Sequence, residues 1–260
     1  MKEILAVSLF FSKSLLKERA TAIFVILAVV MIAIALGLSD INIARRFKLL
    51  EDVLLTSQMF LLHIAALFYA FEFLQKERTL GLFVLPLSAG MSRGRYLVSK
   101  FITLTIMVMS IFFSFLALDA VILYFIEKEI TYMLFWQLFL YALSALVLGF
   151  SILFFSNLVS LMNSVIYAVA LFFIGNGLDE FYIYAKHISK DALMQYIASL
   201  LFYTVPNYSI FDKQAEVVNR AYISTEQFYL YPVLYFFALL FLIFSASYLK
   251  YRTKVLRFGE

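Results

Sequence analysis

Six long apolar runs, separated by more polar stretches of very unequal length, organise this chain. They cover residues 20–38, 53–71, 101–126, 136–155, 158–174 and 232–249. A helix needs about 20 mostly apolar residues to cross roughly 30 Å of hydrocarbon, so each run predicts a spanning helix. Thr131–Leu178 holds no charged residue and is too long for one crossing. It predicts two spans joined by a tight turn at Ser156–Asn157, with Asn as the turn former. Pro232 opens the last run, where its missing N–H is tolerated. Ahead of the first run, residues 1–19 are amphipathic. Ile4, Val7, Phe11 and Leu15 share one helical face, and Lys2, Lys13 and Lys17 share another. That pattern predicts a helix lying in a headgroup layer, its lysines near anionic lipid.

Composition supports the same class. Apolar residues make up 64% of the 260 and charged residues 15%, with mean hydropathy +0.94. Soluble domains average about 45–50% and 25%, so a water-soluble globule and a nucleic-acid module are disfavoured. No Cys is present, which removes disulfide and thiol chemistry. His63 and His187 are the only histidines, too few for a histidine-rich metal site. With the N-terminus inside, thirteen of the 21 Lys and Arg fall in inner segments and eight in outer ones. This predicts cytoplasmic termini, against the outer group Arg45, Arg46 and Lys48, which Asp40, Glu51 and Asp52 surround. The fold class expected is therefore all-α: one polytopic membrane domain over 1–260 with six transmembrane helices and an N-terminal interfacial helix.

Chemistry-bearing motifs are missing. There is no GxxxxGK[ST] to cradle ATP phosphates, no HExxH and no GxSxG. The expectation is a membrane component without catalytic residues, metal or cofactor of its own. Three polar residues inside spans stand out. His63 lies mid-span, where an imidazole either lines a path or bonds a neighbouring helix. Asp119 lies near enough to the outer end of its span to reach interfacial water. Asn163 is most simply a helix–helix hydrogen bond.

Two connecting segments carry more than a loop needs. Residues 72–100 alternate charged and apolar positions and contain Gly81, Pro86, Gly90 and Gly94. They predict an amphipathic helix around 74–85, a break at Pro86–Gly90, and a helix running into span three. Leu80, Leu82, Phe83 and Leu85 would form an apolar surface beside Glu72, Glu77 and Arg78. Apolar anchors with a charged rim suit a protein partner or the lipid interface. The outer segment 176–231 holds Leu193, Ile197, Leu200 and Leu201 at helical spacing, then Pro206-Asn207-Tyr208. It predicts a helix on the outer interface or a re-entrant element, since 192–205 is too short to span. Tyr222, Tyr229, Tyr231 and Tyr235 before span six, and Tyr248 and Tyr251 after it, fit aromatic belts.

The loop and the layout together resemble the ABC-2 type permeases, the membrane subunits of ATP-binding-cassette transporters. The matching positions are Glu72, Glu77, Arg78, Gly81, Pro86, Ser92, Arg93, Tyr96 and Lys100. Ser92 and Lys100 keep the family spacing. Pro86 precedes Lys100 by fourteen residues, more than is usual, with the extra residues at the helix break. The resemblance implies that 72–100 is a coupling helix docking on a separate ATPase, with Glu72, Glu77, Arg78, Gly81, Phe83, Pro86, Arg93 and Lys100 at that contact. It implies ATP and Mg bound by the partner ATPase, a second permease chain across a translocation path, and export across a bacterial inner membrane. The rival readings are an ion-coupled secondary transporter, which wants buried carboxylates and inverted repeats, and a membrane-embedded lipid-modifying enzyme.

Overall fold

The computed structural model describes residues 2–17, 19–41, 46–81, 84–126, 132–189, 191–220, 224 and 226–253. Eleven α-helices follow one another among these residues, and no strand is found there. They are α1 (Lys2–Leu16), α2 (Arg19–Ile41), α3 (Arg46–Thr79), α4 (Val84–Ser88), α5 (Arg93–Ile126), α6 (Tyr132–Phe155), α7 (Leu161–Asn176), α8 (Leu178–His187), α9 (Ala192–Thr204), α10 (Gln214–Val218) and α11 (Tyr231–Thr253).

Among the described residues, four helical stretches are long and apolar enough to cross a membrane: Lys48–Thr79, Arg93–Tyr124, Tyr132–Phe155 and Glu226–Lys250. A fifth is present if α7 and α8, bent by 47° at Gly177, act as one broken span. In α2 the apolar stretch is Ala22–Gly37, shorter than the other four. The chain is therefore an all-helical membrane protein with four to five helices of spanning length.

The helices outrun the apolar runs that seed them. α3 and α5 each have 34 residues, about 51 Å at 1.5 Å per residue, against roughly 30 Å of hydrocarbon. The polar last turns of α3 and the polar first turns of α5 pair through Glu77 and Lys100 as a two-helix stalk. α1 packs on that stalk. Ser8, Phe11, Ser12 and Leu15 face inward. Ser8 Oγ donates to Ser99 O at 3.1 Å, and the Phe11 ring meets Phe73 at 4.9 Å. The buried face thus includes two serines that the apolar pattern left out. Leu5, Leu9, Phe10 and Leu16 are on the exposed side.

α6 is the central helix, buried from Leu140 to Leu153 and contacting α3, α5, α7 and α11. Small residues allow the close approach: Ala65 and Ala66 of α3 and Ala142 and Ala145 of α6 are all fully buried. α6 ends where Ser156 Oγ and Asn157 Nδ2 both donate back to Leu153 O, at 2.8 and 3.0 Å. α7 starts after Ser160, whose hydroxyl accepts from Asn163 N, an N-cap. The uncharged stretch is thus divided into two helices at this turn.

The last span begins earlier than Pro232. A π-helical turn, Glu226–Leu230, runs directly into α11. Pro232 lacks the N–H that would reach Phe228 O in an α-helix, and its missing donor therefore has a consequence. Trp136 Nε1 donates to that carbonyl at 2.8 Å. The one Trp of the chain stands in for the absent backbone donor.

Between α7 and α11 the chain returns into the bundle. α8 and α9 form a hairpin, with Tyr182 and Phe202 stacked at 4.5 Å and Asp191 capping α9 through Leu193 N at 2.9 Å. Residues 205–211 then run inward without α-helix, and Asn207, Tyr208 and Phe211 are buried. Irregular backbone in such a place must be satisfied by protein, and it is. Tyr208 N donates to Gly175 O, and Gln137 Nε2 donates to Phe211 O.

Candidate functional site

The stalk and its tip hold most of residues 72–100. α3 continues unbroken to Thr79, so no separate helix spans 74–85. Residues 74–79 are the end of the α3 span, and the short helix is α4 instead, with Pro86 inside it. Pro is accepted there because the first turn of a helix needs no N–H donors. The breaks flank α4. Gly81 and Gly90 have φ of +59° and +86°, a region that residues with a Cβ rarely enter. Gly81 O accepts from Val84 N at 2.9 Å, and Pro86 O accepts from Met91 N at 3.0 Å. The tip is thus a closed turn.

The charges of the loop point mostly inward or sideways. Lys100 Nζ lies 2.6 Å from both carboxylate oxygens of Glu77, and both side chains are less than a tenth exposed. Lys100 also lies over the Tyr96 ring, 5.1 Å from its centroid. Glu77 therefore joins α3 to α5 and is satisfied within the chain. Arg78 Nη2 donates to Ser156 O at 3.1 Å, which ties the end of α3 to the α6–α7 turn. Glu72 pairs loosely with Lys76 at 3.9 Å, and Lys76 Nζ reaches Ser14 Oγ of α1 at 3.4 Å. Arg95 meets Glu3 at 3.5 Å, and Arg93 is exposed at the first position of α5.

What the tip presents outward is apolar. Leu80 is 65% exposed and Val84 39%, while Leu87 and Met91 pack inward. Phe83, expected in the same surface, lies outside the described residues, as does Leu82. The loop therefore has a rigid, ion-paired base and an exposed apolar tip.

The three polar residues inside the predicted spans have separate fates. His63 is buried between α3 and α6. Its Nδ1 is 2.7 Å from Met59 O and its Nε2 2.9 Å from Ser144 Oγ, and its ring lies against Phe172. It holds helices together. Asp119 does not reach interfacial water: it is fully buried, and Gln58 Nε2 donates to its Oδ1 at 2.6 Å. Its Oδ2 and Gln58 Oε1 have no partner among the described residues. Asn163 makes no helix–helix bond there either; it is exposed in the first turn of α7.

A buried polar stripe went unread in the sequence. Gln137, Tyr141 and Ser144 of α6 follow at spacings of four and three, one helical face. Gln137 holds Phe211 O and Lys213 N, Tyr141 OH bonds Asp212 and Gln214, and Ser144 meets His63. A second network, Asp179 with Asn207 and Ser209, secures the inward segment to α8. The spacing alone could have marked the stripe, since these polar groups share a face within an uncharged apolar stretch.

Among the described residues no three His, Asp or Glu side chains come together as metal ligands. What the arrangement offers is an ion-paired stalk, joined by Arg78 to the α6–α7 turn, with Leu80 and Val84 exposed at its tip. No protein-family model matches this chain, and no curated protein is significantly similar to it in sequence.

Proposed function

We propose that this chain is the permease subunit of an ABC-2 type transporter, an exporter of a bacterial inner membrane. The observation that carries the reading is the stalk. α3 and α5 are longer than one crossing needs, lock together through Glu77 and Lys100, and are joined by a turn and short helix at which Leu80 and Val84 are exposed. An exposed apolar tip on a rigid base is costly unless another surface covers it. In this reading that surface is a cleft of a separate ATPase, which binds ATP and Mg. Its closure pushes the stalk, and Arg78 passes the movement to the α6–α7 turn.

The finer topology belongs to the same reading. Six spans result when α2 and the bent α7–α8 pair each count as one. α1 then lies at the cytoplasmic interface, its exposed Leu5, Leu9 and Phe10 in lipid. Both termini are cytoplasmic, and a second permease chain, identical or similar, completes the path. The test is co-expression with each P-loop ATPase of the same organism that lacks a membrane domain of its own. Leu80→Asp and Val84→Asp are expected to abolish co-purification of the ATPase while leaving membrane insertion intact. Wild-type ATPase stoichiometry in both variants would remove the reading.

A further inference from the structure

Two cavities lie along one face of α11 and share Ile210 and Tyr235. They are successive parts of one groove. The outer part, about 680 Å³, contains Lys213, Glu216, Gln227 and Tyr231. The inner part, about 540 Å³, is walled by Leu239, Leu242 and Ile243 of α11 and by Phe154, Phe202 and Val205. Volumes of about 300–1,000 Å³ are those of small-molecule sites. From Tyr235 to Ala246 the inner part follows eleven residues of helix, about 16 Å. That is close to the hydrocarbon depth of one leaflet, half of roughly 30 Å. The charged side chains of the groove are thus confined to its outer part, while the inner part is uncharged and mostly apolar, with Thr204 and Asn207 also in its wall.

The polar end carries both signs of charge. Lys213 and Glu216 are half-buried at its mouth, and neither side chain has a hydrogen bond or ion pair among the described residues. Tyr231 adds an aromatic ring beside them. A lysine suits a phosphate, while a carboxylate and an aromatic ring together suit an ammonium group. An anionic lipid would satisfy the lysine and be repelled by the glutamate, and a neutral glyceride would satisfy neither.

We propose that this groove binds a zwitterionic phospholipid with a primary-amine headgroup, its phosphate at Lys213, its ammonium at Glu216 and Tyr231, and one acyl chain along Leu239, Leu242 and Ile243. Lipid binding is read from the groove alone. Only the further statement that such a lipid is the cargo rests on the permease reading.

Native mass spectrometry of the detergent-purified chain, without any ATPase, tests the site. The probes are phosphatidylethanolamine and phosphatidylglycerol with identical acyl chains. The wild-type chain is expected to retain phosphatidylethanolamine several-fold more strongly. The double variant Lys213→Ala, Glu216→Gln should lose that preference, and Leu242→Trp, which obstructs the apolar part, should lose retention. Phe241→Trp, on the same helix but outside the groove lining, should keep both. Equal retention of the two lipids by the wild-type chain, or a preference that survives the double variant or Leu242→Trp, would overturn the proposal. So would loss of the preference in Phe241→Trp. None of these outcomes depends on whether an ATPase binds the stalk.

Discussion

Glu77 near the end of α3 and Lys100 two turns into α5 hold each other through both carboxylate oxygens at 2.6 Å, shielded from solvent beneath the exposed tip of the stalk. Their sequence separation of 23 residues closes the whole loop at its base. The tip then sits on a fixed frame, which in the proposed function would transmit force where an open loop would absorb it.

Removing one partner leaves the other charge buried and unpaired, at a cost of about 3–5 kcal/mol. Replacing both by apolar side chains removes that cost. Glu77→Met and Lys100→Met are each expected to lower thermal stability in detergent, and the double variant to regain most of the loss. Additive losses in the double variant would show that the two residues do not act as a pair.

The contact between His63 and Ser144 allows a second cycle. Interhelical hydrogen bonds inside membranes average about 0.6 kcal/mol and reach roughly 1.7. His63→Leu and Ser144→Ala should each destabilise the α3–α6 contact by that order, and together by less than their sum. Unfolding by a denaturing detergent reads the coupling. Simple additivity would place His63 outside the bundle's bonding.

Gly175 marks where the inward segment meets α7. A Cβ at this position would stand 2.3 Å from Pro206 O and 2.6 Å from a Tyr208 ring carbon. The first of these is backbone and cannot swing aside. Gly175→Ala should displace residues 206–208 and cost about 1–3 kcal/mol, the usual range for overpacking. A thermal midpoint equal to wild type would show that the segment does not sit against α7.

The apolar runs made the spanning helices legible because hydrocarbon thickness sets a minimum length for them. Other features depended on partners distant in sequence. Glu77 looked like a partner-facing charge, since nothing local reveals that Lys100 lies across the stalk. Ser8 and Ser12 fall outside the apolar pattern of α1, yet they are buried and bond Ser99 and the helix's own carbonyls. Asp119 was placed near water by counting residues to a span end, but Gln58 of a neighbouring helix covers it. Pro232 was read as a helix start. The π turn before it and the Trp136 bond become visible only once α6 and α11 are side by side.

Topology can be checked on a chain that has no native Cys. Single Cys residues at Ser88 and Ser224 lie at opposite ends of the proposed bundle. With an impermeant thiol reagent on intact cells, Ser224→Cys should label and Ser88→Cys should not. The reverse pattern would invert the orientation and place the stalk outside, where no ATPase could reach it.

The most direct measurement is site-specific photocrosslinking from Leu80 in living cells, with a benzophenone amino acid at that position and a second at the outer-hairpin residue Tyr203 as control. Illumination is expected to join position 80, and not position 203, to a protein that carries a P-loop and hydrolyses ATP. Mass spectrometry of the adduct would identify it, and Val84→Asp should reduce its yield. Crosslinks from position 80 to lipid alone, or no P-loop protein in any adduct from a well-expressed chain, would contradict the account.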